Sequence, residues 1–397
     1  MSQRIDHRLA ASIDETLSQF IQIRHDLHAN PELAFDEHRT AAIVGDLLEG
    51  WGYEVHRGFS GTGVVASLTR GGGGRRLGIR ADMDALPIVE ENGISYRSKA
   101  SGLMHACGHD GHTTILLCAA KHLAESGNFA GTVTLIFQPA EETGAGAAKM
   151  VEDGLFSQHP LDAIFGLHNW PNLEIGRFGF IAGPAMASSD TGVITITGKG
   201  GHGAVPHTTI DPIIAAASIV LTLQSVVSRN IDPQDVGVIT IGAISGGSAG
   251  SIIPDEVELK FTVRAFKPEI RAALLSRLNE IVEMQAASFK CLAKVKIRHS
   301  VAPLVTNIEL TEFAANVARK HFGDDSVETL KPFTGGEDFA YFLEKVPGSF
   351  VHVGNGLSEN LHSPRYNFND EALKPAALFW VALAEEFLRE TPSAQLA

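Results

Sequence analysis

The chain has 397 residues, 44% of them hydrophobic and 20% charged, and a formal net charge of −14. That length exceeds what one core usually serves, so two domains are expected, and the acidity without clustered Lys and Arg argues against nucleic acid. No apolar stretch reads as long enough to cross a bilayer, and residues 1–11 carry charges in place of a signal-peptide core, which predicts a cytoplasmic protein with no membrane partner. Three cysteines, Cys107, Cys118 and Cys291, are an odd number in a large chain and do not read as a disulfide framework.

In chain order, the first helix is expected over residues 14–29, with Ile21, Ile23 and Leu27 among its apolar positions and Asn30-Pro31 ending it. A second helix covers 37–51. Strands follow at 53–57 and 63–68, and then a glycine run at 71–74. That run lacks the GK[ST] ending of a phosphate-binding loop and reads as a hairpin tip before a strand at 76–83. Residues 109–126 have a helical pattern, 132–137 a buried strand, 146–153 a helix and 163–167 another buried strand. Strands alternating with helices predict a three-layer α/β/α domain with a largely parallel sheet. The character changes at Gly183-Pro184. Strand 191–197, helix 212–228, strands 236–241 and 257–264, helix 268–288 and strand 293–298 follow, an order βαββαβ that matches a ferredoxin-like module. Residues 350–353 are strand-like again.

Glu141 and Glu142 stand side by side just past the strand at 132–137, where Pro139 denies the chain a further ladder donor. The carboxyl edge of an open α/β sheet is where such folds hold ligands. Adjacent acids project in different directions, so one could bind a metal while the other takes a proton from water. The run from Met104 to His112 packs three imidazoles and the Cys107 thiol into a few residues, with Gly108 free to turn Cys107 and His109 toward one point. His168 follows the strand at 163–167, and His362 comes after the strand at 350–353. Thiolate and imidazole suit zinc-like metals. His7, His56, His122, His159, His299 and His321 read as packed or solvated.

The runs Arg80 to Pro87, His105 to His112, Gln138 to Glu142, Gly166 to Asn169, Gly200 to Gly203 and Gly335 to Phe339 together resemble the M20 metallopeptidase family, above all its amidohydrolase branch. The resemblance extends from about Ile23 to the C-terminal helix. It implies two divalent ions (Zn, Mn, Co or Ni) held by Cys107, His109, Glu142, His168 and His362, with Glu141 as general base. Peptidase branches carry a histidine ligand at the position of Asp82 and a bridging carboxylate where Cys107 stands. Asp84 resembles the aspartate that steadies a metal-bound histidine. His202 matches a histidine that reaches the partner subunit's active site and stabilises the developing oxyanion, and Arg264 matches the arginine that grips the substrate carboxylate. Ser251 belongs to a substrate loop in which relatives often carry asparagine, which signals a different acyl-amino-acid preference.

Because His362 and Glu337 lie beyond the βαββαβ module and still belong to these motifs, the module is an insert. Residues 1–183 and 300–397 form a discontinuous catalytic domain, and 184–299 a dimerisation domain. The implied reaction is hydrolysis of N-acyl amino acids of N-acetyl or N-benzoyl type by a homodimer or larger homo-oligomer, through a hydroxide bridging the two metals. A dipeptidase or N-carbamoyl amino acid hydrolase of the same family is the runner-up. Two rivals come from other classes: a hydrolase with Cys107 as nucleophile, and a non-catalytic metal-binding protein, against which the spare carboxylate of the glutamate pair speaks.

Overall fold

The structure, a computed structural model, describes residues 7–72 and 74–389. The charged opening segment lies largely outside these residues, as do the side chains of His7 and His299. The chain divides into two compact units, Met1–Gly183 with Thr306–Lys331 and Tyr341–Ala397, and Pro184–Val305 with Pro332–Ala340. Residues 332–340, expected with the catalytic part, cluster with the second unit.

The first unit opens with α1 (His7–Ala29), α2 (His38–Gly50), β1 (Glu54–Phe59), β2 (Gly63–Arg70), β3 (Arg76–Asp82) and α3 (His109–Ser126). It continues through β4 (Gly131–Gln138), α4 (Gly146–Glu152), α5 (Leu155–Gln158), β5 (Ala163–Trp170) and β6 (Phe178–Phe180). The second unit contributes β7 (Ser189–Thr197), α6 (Pro212–Asn230), β8 (Gly237–Ser245), β9 (Glu256–Ala265), α7 (Pro268–Ser288) and β10 (Leu292–Val301). The chain then returns to the first unit with α8 (Ile308–Phe322), β11 (Val327–Thr329), β12 (Gly348–Gly354) and α9 (Leu373–Phe387).

Eight strands form the sheet of the first unit in the order β1-β2-β4-β3-β5-β12-β6-β11. Neighbours within β4-β3-β5-β12 are parallel, whereas β1 with β2, β2 with β4 and β12 with β6 are antiparallel. The sheet is therefore mixed, with a parallel centre, and departs from the largely parallel expectation. The glycine run at 71–74 is not a hairpin tip: β2 and β3 both pair with β4, so the connection passes across that strand. Glycines announce a change of direction but carry no information about which strands pair. Strand β12 is buried at every residue, and β5 at all but Trp170, as strands covered on both faces must be. Helix α3 is likewise buried on almost every side, because it lies among α1, α9 and the sheet.

A buried polar cluster pins α3 to α1. Asp110, in the first turn of α3, accepts from Arg24 Nη1 at 3.1 Å and from His28 Nδ1 at 2.9 Å. His28 Nε2 donates to Glu90 Oε1 at 3.2 Å. The acid also sits favourably at the positive end of the helix dipole.

The second unit folds around its own core, in which Ile194, Ile196, Ile219, Leu223, Leu259, Phe261, Leu274 and Leu278 are buried. Its four strands run antiparallel in the order β8-β9-β7-β10, the ferredoxin-like arrangement expected from the βαββαβ pattern. Helix α6 begins with Pro212 after Asp211, whose carboxylate accepts from Ile213 N at 2.8 Å, a cap followed by proline. Contrary to the sequence expectation, α6 is long and apolar enough to cross a membrane by length and composition, with a mean hydropathy of 1.5. Its buried residues Ala215, Ala216, Ile219, Leu223 and Val226 recur at helical spacing and face the unit's core.

His28 gives the first unit a pH dependence. Burial lowers its pKa, but Asp110 and Glu90 outweigh burial and raise it from 6.5 to about 9. The folded imidazole binds its proton more tightly than the unfolded one, so its contribution, on the order of 3 kcal/mol, is complete below about pH 6.5 and lost as pH rises through about 9. Urea denaturation of the wild type should show stability falling across that window. His28→Asn should be less stable at pH 6 and should show a flatter profile.

Candidate metal centre

The parallel strands at the middle of the sheet bring their carboxyl ends to one edge, and the chain leaves that edge through residues with chemistry to offer. Beyond β3 come Met83 and Asp84. Beyond β4, Pro139 and Ala140 lead into Glu141 and Glu142. His168 and Asn169 are among the last residues of β5, and His362 lies in the loop after β12. Cys107 precedes Gly108, which has φ 90°. A Cβ there would stand 2.5 Å from Asn169 Nδ2 and 2.9 Å from Tyr366 Oη, so only glycine permits the turn that sets Cys107 and His109 on either side of it. Ala140 and His362 also have positive φ, 56° and 65°, a conformation that costs an L-residue about 1–2 kcal/mol.

Asp84 organises the edge. Its Oδ1 accepts from Glu141 N at 3.1 Å and from His109 Nδ1 at 3.2 Å, and its Oδ2 accepts from Glu142 N at 3.0 Å. With Nδ1 donating, His109 Nε2 is left facing Glu142 Oε1 at 3.9 Å and Glu141 Oε2 at 4.0 Å. His168 Nδ1 donates to its neighbour Asn169 O at 2.7 Å, which turns Nε2 to 3.3 Å from Cys107 Sγ. His362 Nε2 lies 3.5 Å from Glu142 Oε1.

Three overlapping trios result: Cys107, His109 and His168; Cys107, Glu142 and His362; His109, Glu141 and Glu142. In each trio one ligand atom per residue lies within 4.8 Å of the others. Within the first unit the structure thus gathers Cys107, His109, Glu141, Glu142, His168 and His362, with Asp84 behind them.

The electrostatics fit a cation. His109 Nε2 and Glu142 Oε1 are buried without a hydrogen-bond partner, an arrangement that polar atoms avoid unless something binds them. Burial raises the Cys107 thiol well above its usual range, and Glu142, Glu141 and Asp82 push it further. Burial lowers the His109 pKa, but Asp82, Asp84 and Glu142 outweigh it and raise it to about 10. Thiol, imidazole and carboxylate together form a donor set for zinc-like divalent metals.

Asp82, His109 and His112 form a further trio, but Asp82 and His112 are engaged with each other and with further protein groups. Asp82 accepts from His112 Nδ1 at 2.6 Å and from Arg80 Nη1 at 2.7 Å, while His112 Nε2 accepts from Asn169 N and Nδ2, both at 2.9 Å. Burial opposes ionisation of Asp82, yet His109, Arg80 and His112 hold its pKa well below the usual range. His105, the third imidazole of the cluster, is buried with neither ring nitrogen hydrogen-bonded, and burial lowers its pKa to about 4.

The remaining sequence candidates belong to the second unit. His202 is exposed, and its Nδ1 accepts from Ala204 N at 3.0 Å. It pairs with Ile252, next to the exposed Ser251, in a short antiparallel ladder. Arg264, on β9, donates to Thr334 O at 3.1 Å, and burial lowers its pKa.

Sequence reasoning passed over several supports. Asn169 Nδ2 donates to Cys107 O at 2.6 Å, and Tyr366 Oη donates to Asn169 Oδ1. Arg80 Nε donates to Gln138 Oε1 at 2.8 Å. A signal existed for Arg80, because Arg80 and Asp82 are two apart on one strand and share a face. Tyr366 comes from an irregular loop and gave none.

The chain matches the model of peptidase family M20/M25/M40 over residues 78–386. It is similar to hippurate hydrolase of Campylobacter jejuni, 43% identical over 383 residues that cover 96% of this chain and 100% of the relative. It is similar also to N-acetyl-L-cysteine deacetylase of Bacillus subtilis, 40% identical over 371 residues, 93% of this chain and 88% of the relative. Among solved structures, a dinuclear metal-binding peptidase of the M20 family from Bacillus subtilis superposes with a TM-score of 0.83 at 34% identity, over 95% of this chain and 99% of that one. With the model matched over most of its length and relatives at 40% identity or more covering nearly all of it, the chain belongs to peptidase family M20/M25/M40.

Proposed function

We propose that this protein hydrolyses the amide bond of N-acyl amino acids, of N-acetyl or N-benzoyl type, to a carboxylic acid and a free amino acid. The observation that carries the reading is the gathering of Cys107, His109, Glu142, His168 and His362 around one another with Glu141 beside them. Similarity to a hippurate hydrolase and an N-acetyl-L-cysteine deacetylase supports the substrate class.

In this reading those five residues hold two divalent ions, Zn, Mn, Co or Ni. When bound, such ions supply the Lewis acidity that makes water nucleophilic near neutral pH. Glu141 accepts the proton of the attacking water and returns it to the leaving amine. Asp84 keeps His109 in the tautomer that presents Nε2. Arg264 takes the substrate's carboxylate in its planar fork, and Ser251 contributes to substrate recognition. The second unit serves as a dimerisation domain, and His202 stabilises the oxyanion at the centre of the second copy. Exposed apolar side chains on α6 and on the edge strand β8, among them Ile214, Leu221 and Ile244, support a homodimer. Work in the reducing cytoplasm fits three free cysteines.

A nucleophilic Cys107 fits the site poorly. Without a cation, burial and the acids Glu142, Glu141 and Asp82 raise its pKa, the opposite of the depression that activates a nucleophilic thiol, whereas a bound divalent ion would itself favour the thiolate as a ligand.

A panel of N-acetyl, N-benzoyl and N-carbamoyl amino acids and dipeptides, assayed after loading with each metal, tests the reaction. Turnover of the N-acyl substrates is expected, to vanish with a chelator and return with metal; preference for dipeptides or N-carbamoyl substrates would move the assignment within the family. Glu141→Gln should lower kcat about a hundred- to ten-thousand-fold with metal content intact, whereas Glu142→Ala should lose metal and activity together, as metal analysis beside kinetics will show. Mixing His202→Ala with Glu141→Gln subunits should restore activity in the mixed dimer; no recovery at all would count against a site shared between subunits.

A further inference from the structure

Three successive backbone N–H groups at the glutamate turn point at buried carboxylates. Those of Glu141 and Glu142 go to Asp84. The first, from Ala140, donates to Glu37 Oε1 at 2.8 Å. Glu37 is fully buried, immediately ahead of α2. Its other oxygen accepts from the Thr62 hydroxyl at 2.5 Å, and Thr62 sits in the turn joining β1 to β2. Ala140 is held with φ 56°, in the left-handed region that an alanine occupies only when its surroundings impose it. A carboxylate is a good tether here because it is an acceptor on both oxygens and meets two donors.

We propose that Glu37, braced by Thr62, is a positioning residue for the reaction: it fixes Ala140 in the left-handed conformation and so sets the directions in which Glu141 and Glu142 leave β4. This rests on the reading of those two glutamates as general base and metal ligand. Nothing in the sequence pattern marks Glu37, which looks like one more acid at the start of a helix. Its importance comes from a contact across 103 positions of chain.

Substitutions at both ends of the tether separate positioning from simple structural support. Glu37→Gln keeps an acceptor for Ala140 N, and its amide can donate to a Thr62 hydroxyl that turns to accept. Glu37→Ala loses both contacts and leaves a buried N–H unpaired. Measured on the full-length, metal-loaded protein, Glu37→Ala should lower kcat about ten- to a hundredfold with little change in KM, and Glu37→Gln should recover most of that loss. Amide hydrogen exchange across residues 140–142 should accelerate in Glu37→Ala and stay near wild type in Glu37→Gln. Should Glu37→Ala not fold, Thr62→Val, which removes one arm of the brace, should show the same changes more weakly.

A folded Glu37→Ala with wild-type kcat and wild-type exchange at 140–142 would overturn the proposal, as would a Glu37→Gln as impaired as the alanine variant with exchange unchanged. If the wild type turns over no N-acyl amino acid, the functional reading fails, but the exchange measurement still decides whether Glu37 holds the turn.

Discussion

One buried carboxylate sets the geometry of the sheet edge. Asp84 receives the Nδ1 proton of His109 and the backbone protons of Glu141 and Glu142, so it ties the start of α3 to the turn that leaves β4. Remove that acceptor and three donors are left to find partners away from water, each at roughly 1–3 kcal/mol. Two residues earlier, Asp82 takes His112 and Arg80 in the same manner. The exit of β3 is thus a row of acceptors set against the first turns of α3. That arrangement decides which imidazole nitrogens are spent on protein partners and which remain to face the cluster of thiol and carboxylates.

The same arrangement explains how four acids, Asp82, Asp84, Glu141 and Glu142, can crowd together at little exposure. Asp82 and Asp84 are compensated within the protein by Arg80, His112, His109 and main-chain donors. Glu141 and Glu142 have their backbones restrained while their side chains turn toward His109 and, for Glu142, His362. Compensated charges form the scaffold, and the concentrated negative charge in front of it is where a cation is most strongly stabilised.

Much of this was legible in the sequence because it was written in local pattern. The runs at 132–137 and 163–167 announce buried strands by composition, and β4 and β5 lie there. The alternation and helical spacing between Gly183 and Val301 are those of the βαββαβ module. Cys107, His109, Glu141, Glu142, His168 and His362 stood out by chemical type at strand ends. What escaped depends on contacts between distant segments. The glycines at 71–74 suggested a reversal, whereas the chain crosses β4. The strands β6 and β11, three residues each, are too short to show a period, and α8 was not picked out despite Asn307, whose side chain accepts from Leu310 N at its start. The supporting roles of Asn169, Tyr366 and Glu37 arise from pairings across dozens to hundreds of residues. Helix α6 is long and apolar enough for a membrane span by length and composition alone, which the sequence reading did not anticipate, yet its buried residues recur at helical spacing against the second unit's core.

The order of strands in the large sheet has a consequence for how the protein is made. Strand β12 lies between β5 and β6, yet more than a hundred and fifty residues, including all of β7 to β10, are synthesised after those two neighbours and before it. Until Gly348–Gly354 has been synthesised, the edge of β5 that pairs with β12 has no strand to take its main-chain groups, which stay unpaired with protein. The nascent chain therefore carries a half-built sheet while the intervening unit, which has a hydrophobic core of its own, is already complete in sequence up to Val305. Closure of the sheet and arrival of the loop bearing His362 are then a single late event, which ties completion of the ligand cluster to completion of the fold.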